Sequence, residues 1–264
     1  MVITIADDFD LYKIAYSGQC FRVKEIDSST FSFVTQNSRV TIKSLGDNKY
    51  DVSCDEDEWI NIWHHYFDLD TCYEDIRKLI PKTDKYLMAS AEIGKGIRIL
   101  NQDKFEMLIS FIISQRKSIP AIKSSVEKLC AIYGEDGFFP TPDALLKATS
   151  EELSSCGLGY RVPYIIDSVA KVAHKDIDLD ELSSLSDEEL FEALKSFKGV
   201  GDKVANCVAL FAYHRIGRAP IDTWIKKIID TEYSGVNPFD KYGKYAGVMQ
   251  QYMFYNAQHL KSQL

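Results

Sequence analysis

The chain has 264 residues, of which 45% are hydrophobic and 12% aromatic, so it can bury a sizeable core and is neither disordered nor fibrous. Its formal net charge of −8 argues against an extended basic surface, the usual footprint of a nucleic-acid-binding protein. No apolar run reaches membrane-spanning length, and the acidic start MVITIADDFDLYK does not resemble a secretory signal. We therefore expect a cytoplasmic protein, nucleoid-associated if prokaryotic, with no membrane partner.

The first eighty or so residues are predicted to form mainly β-strands. Four short segments are rich in β-branched and aromatic residues and are separated by turn sequences, which favours an antiparallel meander. These segments are Ile14–Val23, Phe31–Gln36, Val40–Leu45 and Tyr50–Cys54. Apolar residues at helical spacing then predict a helix over Asp57–Phe67 and a short one within residues 68–80.

From Lys85 onward, apolar residues recur with helical spacing almost throughout. A buried helix is predicted around Phe105–Ile113, and a second over Ile119–Tyr133. Thr149 and Ser186 are each followed three residues later by a glutamate, the capping-box pattern, which predicts helices starting near residues 150 and 187.

The change in composition near residue 85 divides the chain into two expected domains. Residues 1–85 would form a β-rich domain with short helices, and residues 86–264 a helical domain. The fold class is therefore α+β, with an N-terminal antiparallel sheet packed on a larger all-α domain.

Charged residues are segregated along the chain. Residues 51–75 contain nine Asp and Glu residues, and residues 176–192 contain eight, with no Lys or Arg in either stretch. Residues 195–227, in contrast, contain seven Lys and Arg residues against two acidic ones. Single charges of this kind are usually solvated helix faces, but their segregation is compatible with one side that faces DNA.

The most informative stretch is residues 195–224, KSFKGVGDKVANCVALFAYHRIGRAPIDTW. Gly199, Val200 and Gly201 lie between two predicted helices, and the glycines let the backbone turn tightly and approach another molecule. The amides at the start of the second helix then suit a phosphate. A GxG before a helix is often only a turn, and the third glycine and preceding strand of a dinucleotide site are missing. Because both flanking elements are helical, the hairpin favours a DNA backbone over a nucleotide cofactor.

Lys203 and Asp222 are the candidate chemical groups in this stretch. Lys203 lies in the first turn of the second helix, where the helix dipole favours the free amine, which is a nucleophile. Spacing alone more often indicates a lysine that only contacts phosphate. Asp222 follows Pro220 where a helix should begin, so it is predicted to be an N-cap, and its carboxylate could also stabilise a cationic sugar.

Residues 194–228 resemble the helix-hairpin-helix motif, with its Gly/Pro-rich loop and aspartate, of the DNA glycosylase superfamily. Further motifs narrow the resemblance to the 8-oxoguanine DNA glycosylase/lyase branch, of eukaryotic type but in a prokaryotic variant. They are Tyr16-Ser17-Gly18-Gln19-Cys20-Phe21-Arg22, Gly157-Leu158-Gly159-Tyr160-Arg161, and Tyr245-Ala246-Gly247 followed by Gln250 and Phe254. The resemblance implies a TATA-binding-protein-like N-terminal domain and covers nearly the whole chain.

The resemblance also implies a bifunctional base-excision repair enzyme whose partner is double-stranded DNA containing oxidised guanine. Lys203 would attack the sugar C1′ of the flipped lesion and stay bound as a Schiff base while β-elimination nicks the strand, and Asp222 would stabilise the charged sugar. The Gly18 carbonyl would accept the N7 proton that distinguishes 8-oxoguanine from guanine. Gln250 would bind the Watson–Crick edge. The lesion ring would be sandwiched by Cys207 and Phe254, residues that otherwise read as helix-core packing.

Further DNA contacts follow from the same resemblance. The hairpin, Lys198 included, would hold the backbone, Arg116 would fill the hole left by the flipped base, and Arg161 would contact the orphaned cytosine. Ala121 stands where a second family arginine is expected, which predicts a weaker preference for cytosine opposite the lesion than eukaryotic relatives show. Trp224 replaces a family histidine, so its contacts to DNA are left open.

No cofactor is expected to be required. The family hairpin often binds a structural cation through backbone carbonyls, here those of Lys195, Phe197 and Val200. An iron–sulfur cluster, found in the related endonuclease III branch, needs four closely spaced C-terminal cysteines, and none follows Cys207. The six cysteines are far apart with no CxxC pair, so neither a zinc site nor a disulfide framework is indicated. We expect a monomer.

Three alternatives remain open at this point. A monofunctional glycosylase for alkylated bases would share Asp222 but would not use Lys203. A non-catalytic DNA-binding protein would use the hairpin only as a backbone clamp, and an acidic interaction protein would not touch DNA. The joint presence of Lys203 and Asp222 favours the glycosylase/lyase.

Overall fold

The protein is described by a computed structural model. It covers residues 1–262, with side chains described through residue 259. The residues group into two compact units. The first unit comprises residues 1–33, 40–101 and the chain from residue 214 onward, and the second comprises residues 34–39 and 102–213. The domain boundary at residue 85 stays a prediction.

The N-terminal part of the chain forms an antiparallel sheet. Its strands in the described residues are β1 (Val2–Thr4), β2 (Lys24–Asp27), β3 (Thr30–Thr35), β4 (Ser38–Gly46) and β5 (Lys49–Val52). The order across the sheet is β1-β5-β4-β3-β2. Strands β2 to β5 form a meander as predicted, but its first strand is Lys24–Asp27, which was not among the predicted segments. Strand β1 adds an edge by pairing with β5. The strand predictions at β3, β4 and β5 are confirmed.

Most of the remaining chain is helical. In chain order the α-helices are α1 (Leu11–Tyr16), α2 (Glu56–Glu58), α3 (His64–Tyr66), α4 (Tyr73–Lys78), α5 (Lys85–Ile93), α6 (Lys104–Ile113), α7 (Ile119–Tyr133), α8 (Pro142–Leu145), α9 (Ser150–Ser155), α10 (Val162–Ala173), α11 (Asp187–Lys195), α12 (Asp202–Ala212), α13 (Thr223–Glu232) and α14 (Ala246–Ser262). A π-helical turn, Trp59–Trp63, joins α2 to α3 within the helix predicted there. None of the helices over residues 1–262 is long and apolar enough to cross a membrane.

The strand predicted over Ile14–Val23 is wrong. Its first residues belong to α1, which starts after Asp10, whose side chain accepts the Lys13 N–H at 3.0 Å. The helix buries Leu11, Ile14 and Ala15, which share one helical face. The segment's β-forming composition was misleading because packing of this face outweighs intrinsic strand preference. Residues 17–23 continue without regular structure.

The core of the first unit is aromatic. Phe31 and Phe33 of β3 are buried together with Trp63 and Phe67 from the helical segment that follows the sheet. The rings of Phe33 and Phe67 meet edge to face, with centroids 5.0 Å apart. On the same unit, α14 packs along α5.

A buried arginine in the first unit, Arg98, connects the N-terminal residues to the segment that follows the sheet. The Arg98 side chain is fully buried and stacks on the Tyr73 ring, 4.3 Å from its centroid. Its guanidinium donates to the carboxylate of Asp7 and to the carbonyls of Asp8, Phe67, Asp68 and Thr71. A buried charge is tolerated when it is satisfied in this way. The next two residues are held separately, since the Ile99 N–H donates to the Tyr73 hydroxyl and the Leu100 N–H to Oε1 of Gln19, each at 2.8 Å.

The second unit is a helical bundle around α6. Every residue from Phe105 to Ile113 is buried, and α12 packs against this helix while α11 packs against α12. The predicted capping boxes are confirmed at both positions: Thr149 with Glu152 starts α9, and Ser186 with Glu189 starts α11. Helix α7 has the bounds predicted for it.

Candidate active site

The predicted hairpin connects α11 to α12 in the second unit. Gly199 has φ of +79°, and a Cβ built on it would lie 2.3 Å from the Tyr164 ring, so both conformation and packing require glycine here. Val200 is buried. At Gly201 a Cβ would meet no atom within 4 Å, and α12 begins there without a side-chain cap. The first turn of α12 therefore lacks a side-chain cap and starts at an uncrowded glycine, and uncapped amides at a helix start suit a phosphate.

The hairpin is braced by charged side chains of the second unit. Asp167 accepts the Lys198 N–H at 3.2 Å and pairs with Lys171 at 3.2 Å. Lys171 also donates to the Ser196 carbonyl at 2.8 Å. The Lys198 residue itself is exposed. An exposed lysine at the turn can contact a phosphate directly.

The carbonyls predicted to hold a cation lie in this turn. Phe197 is buried, and its carbonyl accepts the Val200 N–H at 3.1 Å. The ammonium of Lys195 pairs with Asp202 at 3.1 Å, which links the ends of the two hairpin helices. Among residues 1–262, no group of His, Cys, Asp and Glu is arranged to bind a metal. A cation held by backbone carbonyls stays a prediction.

Lys203 lies in the first turn of α12 and is half-buried. Its Nζ donates to Oγ of Ser114 at 3.2 Å and lies 5.3 Å from the centroid of the Phe111 ring. Both partners come from the C-terminal end of α6 and the residue that caps it. The amine is therefore held against an aromatic face rather than left free in solvent. Cys207 lies one turn further along α12 and is buried.

The loop between α6 and α7 is tied to the Gly157–Arg161 segment. Arg161 is buried, stacks on Tyr160, and donates from Nε to the Gln115 carbonyl at 3.0 Å. Lys117 donates to the Gly157 carbonyl at 2.6 Å. Burial, followed by the charges of Arg161 and Lys128, lowers the pKa of Lys117.

Arg116 lies at the exposed tip of this loop with a left-handed φ of +52°. Such a conformation is strained for a residue with a side chain, and it persists because Gln115 and Lys117 on either side are anchored. The guanidinium of Arg116 is thus presented to solvent from a constrained backbone.

Asp222 caps α13 in the first unit, as predicted. Its side chain accepts the Ile225 N–H at 2.9 Å, and the residue is only half-buried. Trp224, the second residue of α13, is also half-buried. The cap fixes the direction of the carboxylate without enclosing it.

The residues predicted to select the base also lie in the first unit. Gly18 has φ of +80° in the irregular turn after α1 and is half-buried. Gln250 on α14 is buried, and its Oε1 has no hydrogen-bond partner among the described residues. Phe254, one turn further along α14, is half-buried. A buried acceptor without a partner is costly, which points to a ligand that donates to it.

Two residues near these groups escaped the sequence analysis. Ser114 contacts Lys203, and Gln251 donates from Nε2 to the Ser17 carbonyl at 2.5 Å, next to Gly18. No local pattern marks either residue, because their partners are 89 and 234 positions away in the chain.

Two family models match the chain. Residues 1–108 match the N-terminal domain of 8-oxoguanine DNA glycosylase, and residues 109–243 match the HhH-GPD superfamily of base excision DNA repair proteins. The two matches adjoin, in the order that the motifs predicted.

Relatives with known structures cover almost the whole chain. The structure of MBOgg1 in complex with low affinity DNA ligand is 33% identical, covers 98% of this chain and 96% of its own, and has a TM-score of 0.93. The structure of Clostridium acetobutylicum 8-oxoguanine glycosylase/lyase in complex with dsDNA containing cytosine opposite to 8-oxoG is 33% identical, covers 99% of this chain and 98% of its own, and has a TM-score of 0.91. A probable N-glycosylase/DNA lyase of Methanothermobacter thermautotrophicus is 27% identical over 230 residues, 73% of each sequence.

The N-terminal sheet, the helical part and the hairpin with its lysine define a repair protein of the HhH-GPD superfamily. Within that superfamily, the chain belongs to the 8-oxoguanine DNA glycosylase family, as the sequence motifs implied, and is an enzyme of the DNA N-glycosylase/lyase class. The α+β fold class is confirmed with it.

Proposed function

We propose that this enzyme excises 8-oxoguanine from double-stranded DNA and nicks the strand, with Lys203 as the nucleophile. The observation that carries the proposal is the Lys203 amine: it follows the uncapped hairpin by two residues and is oriented by Ser114 against the Phe111 ring. The match to relatives named 8-oxoguanine glycosylase/lyase supports the choice of lesion.

The hairpin would set the DNA backbone beside the amine. A phosphate bound by the first-turn amides of α12 would lie close to Lys203, which belongs to the same turn. The sugar of a flipped nucleotide could then approach Nζ. Attack by the neutral amine forms the Nζ–C1′ bond while the C1′–N9 bond breaks. The base leaves with the bonding electron pair and takes up the proton that the amine releases. The C1′–O4′ bond then breaks, O4′ takes up a proton, and an Nζ=C1′ Schiff base forms. Loss of a C2′ proton next breaks the C3′–O bond, the 3′ phosphate leaves with the bonding electrons, and the strand is nicked.

Asp222 would act on the charge that develops during this step. Its carboxylate is held by the α13 cap, and a fixed negative charge near the sugar favours the cationic transition state over the neutral ground state. The cap and the catalytic role use the same side chain without conflict, since a carboxylate has more than one acceptor position.

Base selection would come from the first unit. The Gly18 carbonyl would accept the N7 proton of 8-oxoguanine, and the unpartnered Oε1 of Gln250 would accept a proton from the Watson–Crick edge, where guanine bases carry N–H donors. Cys207 and Phe254 would sandwich the ring. Guanine lacks the N7 proton, so its entry would leave two acceptors facing each other.

Single-turnover excision on an 8-oxoguanine duplex, with strand nicking scored in the same gel, tests the proposal. We expect base release and nicking on the lesion duplex and neither on the matched guanine duplex. Release without nicking would indicate a monofunctional glycosylase, which the same assay on an alkylated-base duplex would then identify. Salt-sensitive binding without any release would indicate a non-catalytic DNA-binding protein.

A further inference from the structure

The turn that carries Gly18 is fixed from both sides by buried glutamine side chains. Gln251 of α14 donates from Nε2 to the carbonyl of Ser17 at 2.5 Å, and both residues are buried. On the other side, Gln19 is fully buried; its Nε2 donates to the Arg98 carbonyl, and its Oε1 accepts the Leu100 N–H, each at 2.8 Å.

These contacts determine where the Gly18 carbonyl points. The Ser17 carbonyl shares a rigid peptide plane with the Gly18 N–H, so the bond from Gln251 fixes the plane that enters Gly18. The Gln19 contacts fix the chain that leaves it. Gly18 itself, at φ of +80°, has no side chain to restrict its rotation. Without the outside anchors, the carbonyl of a glycine would sample several directions.

The anchor on Ser17 comes from the residue next to Gln250. Successive residues of an α-helix point about 100° apart, so α14 presents Gln250 in one direction and Gln251 in another. Helix α14 thus carries Gln250, which is proposed to bind the base. Through Gln251 it also holds the Ser17–Gly18 peptide, next to the Gly18 carbonyl that is proposed to bind the same base. A single rigid element would set the separation between the Gly18 carbonyl and the Gln250 amide, which are proposed to bind opposite edges of the same base.

We propose that Gln251 is a positioning residue for lesion recognition, acting through Ser17 on the Gly18 carbonyl. The inference rests on the proposed function, since it assumes that the Gly18 carbonyl distinguishes 8-oxoguanine from guanine. Gln251 would touch neither the base nor the sugar. Its loss would therefore weaken discrimination between the two bases while leaving the Lys203 chemistry intact.

Three variants separate positioning from a general structural role. Gln251→Met removes the donor and keeps a buried side chain of similar length, and Gln251→Glu keeps the shape but presents no N–H donor. Gln258→Met, at a half-buried glutamine two turns further along α14, is the matched control. Thermal unfolding of each variant shows whether it is folded at the assay temperature.

Each folded variant is assayed on an 8-oxoguanine duplex and on a duplex with a preformed abasic site. We expect Gln251→Met to slow 8-oxoguanine excision by about tenfold or more, and to change cleavage at the abasic site by less than about twofold. The control should match the unmutated protein on both duplexes. Equal slowing on the two duplexes would overturn the proposal, because it would mean a general loss of structure.

The ratio of binding affinities for 8-oxoguanine and guanine duplexes is a second measurement, and a merely structural role of Gln251 would leave this ratio unchanged. In a Lys203→Gln background, which blocks turnover, the affinity ratio between 8-oxoguanine and guanine duplexes should fall about tenfold on adding Gln251→Met or Gln251→Glu. An unchanged ratio in the folded double variant with Gln251→Met would overturn the inference while leaving the proposed function standing. A ratio that is unchanged in Gln251→Glu but reduced in Gln251→Met would support it, because a buried protonated carboxyl can donate its O–H to the Ser17 carbonyl. Failure of the unmutated protein to release 8-oxoguanine would instead overturn the proposed function.

Discussion

The Oγ atom of Ser114 accepts a hydrogen bond from Nζ of Lys203 at 3.2 Å and donates its own proton to the Phe111 carbonyl at 2.7 Å. A hydroxyl has a single proton to donate, so toward Lys203 it can act only as an acceptor. The amine is thus held by one of its own N–H groups, and the remaining positions on Nζ are not used by this contact. This contact gives Ser114 a defined place in the proposed chemistry.

Ser114→Ala should slow formation of the Schiff base about tenfold, since one oriented hydrogen bond of about 1.4 kcal/mol is lost in the transition state. Ser110→Ala is the matched control, because Ser110 lies one turn earlier on α6 and its buried hydroxyl has no hydrogen-bond partner among the described residues. Single-turnover kinetics on the 8-oxoguanine duplex measure both. Equal rates for the two variants would show that Ser114 does not orient the amine.

Asp222 allows capping and catalysis to be separated. Asparagine caps a helix about as well as aspartate but carries no charge, so Asp222→Asn should retain the free energy of unfolding and slow excision by about 100-fold or more. Asp222→Ala should slow excision similarly and also cost about 1 kcal/mol of stability. Urea unfolding and single-turnover excision are measured on the same preparations. Full activity in Asp222→Asn would reduce Asp222 to a helix cap.

The sequence predicted local features of the fold better than strand boundaries. Capping boxes at Thr149 and Ser186 lie within four consecutive residues, so the signal that starts each helix is complete in the sequence. The strand prediction at Ile14–Val23 is wrong because the composition of this segment suits a strand, whereas its actual conformation depends on burial of one face of α1. Strand β2 was not predicted; all of its residues are exposed, so it lacks the alternation that marks a strand.

The same distinction holds for the candidate site. The position of Lys203 in a first turn and the capping by Asp222 were predictable, because each depends on residues within a few positions. Ser114 and Gln251 were not, since their partners are distant in the chain and become neighbours only on folding. The resemblance to a family supplied the base-selecting residues, but not the contacts that hold them.

Arg161 bears on the choice of the opposite base. Its guanidinium already donates to the carbonyls of Gln115 and Leu158, and Ala121 offers no second guanidinium. We therefore predict that 8-oxoguanine is excised opposite all four bases at rates within about tenfold of one another, because few donors remain to bind cytosine. Single-turnover rates on four duplexes that differ only in that base measure the preference. A steep preference for cytosine over the other three would contradict the prediction.

Asp68 predicts how stability changes in acid. Burial acts to raise the pKa of Asp68, but the hydrogen bond and charge of His214, at 3.1 Å, and bonds from Tyr73 and Thr71 leave it below the ordinary value of 3.8. When the pKa of a carboxyl is lower in the folded state than in the unfolded state, its ionised form stabilises the fold. This stabilisation is complete at a pH above the unfolded-state pKa and is lost as the pH falls through the folded-state pKa. The free energy of unfolding should therefore decrease as the pH is lowered below about 4.

Asp68→Asn isolates this contribution. Asparagine tolerates the left-handed φ of 53° at this position, so the backbone need not change. The variant should be less stable at neutral pH, and its stability should decline less steeply in acid than that of the unmutated protein. Urea unfolding at a series of pH values measures both slopes. Parallel slopes would show that Asp68 does not carry the acid dependence assigned to it.

Borohydride trapping on an 8-oxoguanine duplex tests the role of Lys203 most directly, because reduction makes the Schiff base permanent. Lys198→Gln, at the exposed hairpin lysine, is the control for a lost positive charge beside the DNA. We predict a covalent adduct with the unmutated protein and with Lys198→Gln, mapped by mass spectrometry to Lys203, and none with Lys203→Gln. An adduct that persists in Lys203→Gln, or the lack of any adduct with the unmutated protein, would contradict the proposed mechanism.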